Sequence, residues 1–219
     1  TWAADAKPWP APPYKVDQNF ERAFLGTLGI RNAKYSTENK GESIGVTDET
    51  GSPIGGASKR CLKVQDVPGL KHSYDPVLDI YPKWAESGTY HVSFDIMAQP
   101  GADWFFEMRN KAGEFGAGPY VRWQNGKIAP GLQSGPVPFE VAPNQWVHVE
   151  ITATTETAAT PTAPAKLGTW TVSFTRQDGE KKGYLTFQTK PGWTEAHYLL
   201  FSALGTTKTA FFIDNMKLD

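Results

Sequence analysis

Apolar and polar residues alternate in short runs along most of the chain. In TYHVSFDIMA (89–98), Val92, Phe94 and Ile96 fall on one side and His91, Ser93 and Asp95 on the other, the two-residue period of a half-buried strand. DWFFEMRN (103–110) divides the same way, with Trp104, Phe106 and Met108 opposite Phe105, Glu107 and Arg109. In PYVRWQNGKIA (119–129), Val121 and Trp123 point inward and Tyr120, Arg122 and Gln124 outward. The Asn125-Gly126 pair in that run predicts a two-residue hairpin turn, because both positions of such a turn need positive φ. QWVHVEIT (145–152) sets Val147, Val149 and Ile151 against Trp146, His148 and Glu150. Further strands are predicted at ESIGVTDE, KRCLKVQD (59–66), TWTVSFTR (169–176), GYLTFQT (183–189), HYLLFSAL and AFFIDNMKL. No stretch shows sustained helical periodicity.

Ten or more short strands separated by Gly, Pro, Asn and Asp predict an all-β chain, a two-sheet antiparallel jelly-roll sandwich. Residues 1–18 are Pro- and Trp-rich and read as an extended arm, with Trp2 and Trp9 packing on the sandwich. Residues 19–219 read as a single domain. The tract at 152–165 is almost wholly Thr, Ala and Pro, a low-complexity loop too poor in apolar bulk to order itself.

Composition narrows the partners. The 219 residues include 22 basic and 23 acidic side chains without charge runs. Nucleic acid and anionic membrane surfaces select a basic excess, so neither is expected, and 39% hydrophobic residues without a long apolar run exclude insertion into a membrane. The 8 Trp, 8 Tyr and 12 Phe suit either a large β core or ring stacking on sugars. Cys61, the single cysteine, permits no intrachain disulfide and reads as a small buried hydrophobe. The start TWAADAKPWPAPPY lacks the charged and apolar regions of a signal peptide.

The order of NFERAFLG, ESIGVTDETG…SKRCLKVQD, GTYHVSFDI, NQWVHVEI and FFIDNMKL resembles the concanavalin A-like lectin/glucanase (LamG-like) jelly-roll class, or the closely similar carbohydrate-binding modules. The resemblance runs from about residue 19 to the end. It implies a secreted or cell-surface protein, its signal peptide not present in this chain, with a poly- or oligosaccharide partner and neighbouring domains of a larger protein. It also implies a structural Ca²⁺ where the early Phe-Glu segment meets the late Asp-Asn strand, with Glu21 and Asp214 as ligands and Asp48 as a further carboxylate. Calcium takes six to eight oxygens, so backbone carbonyls would complete the shell. Asp214 could instead cap a turn or pair with Lys217.

Catalytic signatures are scarce. Retaining glycosidases of this class carry paired acids on one strand as E-x-D-x-x-E, whereas WFFEMRN offers Glu107 alone. The Gln-[Ile/Val]-His and Tyr-x-Lys-x-Gly-x-Tyr strands of alginate-lyase-like members are missing, as are His-Glu-x-x-His, Gly-x-Ser-x-Gly and a phosphate-cradling glycine loop. The leading expectation is a non-catalytic carbohydrate-binding domain of an exported polysaccharide-processing protein. Its predicted sugar contacts are His91, Asp95, Glu107, Arg109, Tyr120, Arg122 and His148, expected to converge if their strands are neighbours in one sheet. Against it stand a lyase or hydrolase, with Tyr120, His91 or His148 moving protons and Arg109 or Arg122 stabilising charge, and a structural module without a sugar ligand.

Overall fold

The structure, a computed structural model, describes residues 15–82, 87–131 and 136–219, with Leu185 described in its backbone only. Fifteen strands in those residues form two antiparallel sheets stacked as a jelly-roll sandwich. Numbered in chain order, they are β1 (Val16–Gln18), β2 (Ala33–Ser36), β3 (Ser43–Thr47), β4 (Cys61–Asp66), β5 (Val77–Ile80), β6 (Thr89–Ala98), β7 (Asp103–Arg109), β8 (Tyr120–Gln124), β9 (Lys127–Pro130), β10 (Phe139–Glu140), β11 (Trp146–Thr154), β12 (Thr169–Arg176), β13 (Lys181–Gln188), β14 (Tyr198–Ala203) and β15 (Thr209–Leu218). The eight-stranded sheet runs β13-β12-β11-β6-β15-β4-β3, with β1 added on β15. The seven-stranded sheet runs β10-β9-β8-β7-β14-β5-β2.

Alternation builds the core. The inward residues of β6, β7, β8, β11 and β15 all belong to one buried cluster between the sheets. Phe94 from one sheet meets Phe106 and Phe201 from the other at ring-centroid distances of 5.1 and 5.0 Å. Each fully buried ring contributes about 2–3 kcal/mol. The β8–β9 turn is as predicted, with Asn125 at φ 51° and Gly126 at φ 78°. Four short strands, β1, β2, β5 and β10, went unpredicted; each has only two to four residues.

Residues 1–14 of the expected arm, Trp2 and Trp9 among them, lie outside the described residues; residues 16–18 are strand β1. Thr152, Ala153 and Thr154 continue β11. The rest of the low-complexity tract folds back on itself, through paired backbone hydrogen bonds between Thr157 and Lys166 and between Thr160 and Ala163. Side chains that supply no core do not prevent the backbone from pairing.

One irregularity shapes the larger sheet. Asp214 on β15 lies opposite Asp95 on β6, but the next paired residue is Lys217, opposite Ser93. The extra residue is a β-bulge, and Asn215 there has φ 47°. The bulge lets Met216 and Leu218 return to the core while Asp214 and Asn215 both reach the polar side.

Candidate functional site

The predicted sugar-binding residues are divided between the two sheets. Glu107, Arg109, Tyr120 and Arg122 lie on β7 and β8 of the seven-stranded sheet, and His91, Asp95 and His148 on β6 and β11 of the eight-stranded sheet. The inner faces pack on each other, so the two groups leave on opposite sides of the sandwich. The expectation of one convergent surface is therefore corrected: β6 pairs with β11 and β15, not with β7.

The outer face of the seven-stranded sheet carries a cavity of about 780 Å³. Its floor follows from the strand register. Tyr120 sits opposite Glu107, Glu107 opposite Leu200, and Leu200 opposite Asp79. The adjacent row is Arg122, Phe105, Ser202 and Val77. Phe105 and Tyr120 stack at 5.3 Å and 20-odd degrees, and with Leu200 form a small apolar cluster of their own. Burial pushes the Tyr120 hydroxyl up to about 12, so it stays a proton donor at neutral pH. Two loops raise the walls: Phe115, 48% exposed, on the β7–β8 connection, and Tyr74, 50% exposed, on the β4–β5 connection.

The charged groups here are already engaged. Arg122 forks onto Asp103, Nε to Oδ1 at 2.9 Å and Nη2 to Oδ2 at 2.6 Å. Arg109 Nε donates to Glu107 Oε2 at 2.9 Å, and the guanidinium lies 5.6 Å from the Phe115 ring centre. Glu107 was expected to be exposed and is fully buried. Its other oxygen accepts the Gly116 N–H. Burial raises its pKa, with Arg109 and the Gly116 N–H pulling the other way.

On the opposite side of the sandwich, alternation sends Asp95 and Asp214 outward, and the loop between β3 and β4 covers them. Both are buried, 1% and 0% exposed. Asp95 accepts from His148 Nδ1 (2.6 Å), Ser52 Oγ (2.7 Å) and Asn215 Nδ2 (2.7 Å). Asp214 accepts from the backbone N–H groups of Ser52 (2.9 Å) and Asn215 (2.8 Å). Burial, with Asp95 adding to it, pushes the Asp214 carboxyl up to about 6. Ser52 and His148 both bond the same aspartate, so they make no nucleophile–base pair. His91 stands apart, its Nδ1 3.2 Å from the Thr152 hydroxyl. Asp95 and His148 were expected to meet a sugar; the covering loop makes Asp95 part of the interior.

Glu21 comes within one residue of Asp214. Its Oε1 accepts from Ser58 Oγ and from the backbone N–H groups of Lys59 and Arg60 at 2.7–2.9 Å, which lowers its pKa, and Ser58 also bonds Asp214. Asp48 is exposed and shares none of these bonds. Among the described residues no three His, Cys, Asp or Glu are grouped to hold a metal. An ion here would draw on the Glu21 and Asp214 carboxylates, which Ser58 joins, together with serine and backbone oxygens.

No protein-family model and no curated protein matches the chain. Solved structures do. Peanut lectin superposes at a TM-score of 0.51 and 11% identity, over 95% of this chain and 97% of that one. Lectin II from Ulex europaeus gives 0.50 and 10%, over 94% and 97%. A carbohydrate esterase from the Shiga toxin-encoding bacteriophage phi24B gives 0.51 and 12%, over 93% and 96%. This is the concanavalin A-like jelly-roll fold.

In this jelly roll, Asp79, Phe115, Tyr74 and Tyr198 line the cavity and were missed in the sequence. Asp79 had a legible signal: VLDI alternates, with Leu78 and Ile80 buried and Asp79 between them facing out. The loop aromatics had none, because their position depends on loop shape.

Proposed function

We propose that this chain is a non-catalytic carbohydrate-binding domain of an exported polysaccharide-processing protein, and that it takes its glycan in the groove on the outer face of the seven-stranded sheet. The observation that carries this reading is the groove itself, a cavity of about 780 Å³ lined by the aromatic rings of Tyr74, Phe105, Phe115, Tyr120 and Tyr198 and by the hydrogen-bonding groups of Asp79, Arg109 and Arg122. Sugars present apolar C–H faces and hydroxyl edges, and such a surface meets both. The lectins that share the fold support it. The non-catalytic part is supported by Glu107, whose carboxylate is buried and closed off by Arg109 and the Gly116 N–H. A glycan array followed by calorimetry tests the reading: binding without product is expected, and a new reducing end or an unsaturated uronate product would turn it toward hydrolase or lyase.

A calcium ion near Glu21 and Asp214 belongs to the same proposal, as a clasp between β15 and the segments before β2 and β4. Asp48 is left out of it. Binding to the folded state alone raises stability by mass action. Melting with and without chelator checks it, the expected outcome being a fall of several degrees. An unchanged midpoint, with no metal by elemental analysis, would leave the hydrogen-bonded network as the whole of the arrangement.

A further inference from the structure

The groove has a definite charge character. Its guanidinium groups, Arg109 and Arg122, are each satisfied within the protein by Glu107 and Asp103. Arg122 closes its fork on Asp103, and Arg109 divides its donors between Glu107 and Tyr198, so a carboxylate from outside would compete with the acid each already holds. Lys34, the neighbouring cation, reaches over the Tyr81 ring, 4.7 Å from its centre.

Asp79 is different. It lines the groove, is half-buried, and its carboxylate accepts no hydrogen bond from the described residues. Its oxygens are not sealed off, and burial raises its pKa against the pull of Lys34 and Arg109. A half-buried carboxylate with open lone pairs is under-solvated and seeks donors. Adjacent sugar hydroxyls supply two, in a bidentate, charge-assisted arrangement. A uronate would bring a second negative charge to the same place, where Lys34 and Arg109 already act on Asp79 itself.

We infer, resting on the reading that this groove binds glycan, that its ligand is a neutral oligosaccharide, with Asp79 accepting paired hydroxyls and discriminating against uronates. The apolar contacts come from Phe115 and Tyr74 on the walls and Tyr198 beside Asp79.

Calorimetry of the whole chain with neutral β-linked pento- and hexo-oligosaccharides, and with oligogalacturonates of equal length, tests this. Neutral ligands are expected to bind with little change between about 50 and about 500 mM salt, since no net charge is neutralised. Asp79→Asn is expected to weaken neutral binding about tenfold or more without lowering the Tm, and to narrow the gap to uronates. Asp79→Leu, which removes the acceptor as well as the charge, separates the charge from the hydrogen bond when set beside Asp79→Asn, which keeps an acceptor oxygen. Uronates binding as tightly as neutral sugars, with a steep salt dependence, would overturn the charge assignment and leave the glycan groove standing. Neutral binding unaffected by Asp79→Asn would overturn the role of Asp79. Failure of every oligosaccharide would overturn the proposed function itself.

Discussion

The two outer faces of the sandwich start from the same rule and end differently. On each, alternation turns acids, basic groups and aromatics away from the core. On the eight-stranded sheet the β3–β4 loop closes over them, and Cys61, Met97, Trp146, Ala210 and Phe212 form a second small core with Asp95 and Asp214 beside it. On the seven-stranded sheet the loops stand up at the sides, and the polar residues line an open groove. An outward-facing residue is therefore not yet an exposed one. Strand period decides the face, and loops decide whether water or a ligand reaches it.

The largest test of this contrast is Trp146→Ala. If the covered face is a true core, truncating its largest ring costs about 3–5 kcal/mol, read by denaturant unfolding, while glycan affinity holds. A loss under about 1 kcal/mol would mean the loop is a loose cover. Next comes Arg109→Ala, expected to cost about 3 kcal/mol because it leaves the buried Glu107 unpaired, with the loss capped where Glu107 takes up a proton. Arg122→Ala should cost below about 1 kcal/mol, since its pair with Asp103 is partly exposed. Equal costs would erase the distinction between the two pairs.

A pH experiment comes third. Burial pushes Asp66 up to about 6 from 3.8, with Glu42 and Asp103 adding to it and the Val67 and Gly205 N–H groups opposing. Its Oδ2 is buried and has no hydrogen-bond partner among the described residues. The folded state thus binds this proton more tightly than the unfolded chain, so the contribution to stability is present below about 4 and is lost as pH rises through about 6. Asp66→Asn should remove that loss, and the stability difference between variant and parent should shift by about 2–3 kcal/mol in the variant's favour from acid to neutral pH. Glu38, held down to about 2 chiefly by Lys40, slopes the opposite way in both proteins and cancels in the difference. The smallest effect on stability belongs to Phe115→Ala, within about 0.5 kcal/mol because the ring is half exposed. It should still weaken glycan binding measurably; unchanged affinity would remove that wall from the site.

The layered architecture was legible in the sequence because long strands write their burial into every second residue, as β6, β7 and β11 do. The hairpin at Asn125-Gly126 was legible because few residues tolerate two positive φ values in succession. The membership of the sheets was not. Nothing in TYHVSFDIMA or DWFFEMRN says that consecutive strands cross to opposite layers, and that one fact separated His91, Asp95 and His148 from Glu107, Arg109, Tyr120 and Arg122. The pairing of charges was equally hidden: Arg122 and Asp103 are 19 positions apart in the chain and meet only across β7 and β8. Glu21 and Asp214 do approach each other, through Ser58, a residue that carried no signal of its own.

The place of β15 has a consequence for how the chain reaches this state. It lies between β4 and β6, hydrogen-bonded to both, yet follows each by more than a hundred residues. Until it arrives, the eight-stranded sheet exists as two separate pieces, each with a long apolar edge. Loop closure over that distance must precede any reward from pairing, which makes assembly slow and leaves the nascent chain open to wrong partners. During synthesis, the protein therefore depends on the ribosome delivering residues 209–218 before those two edges find each other in another copy.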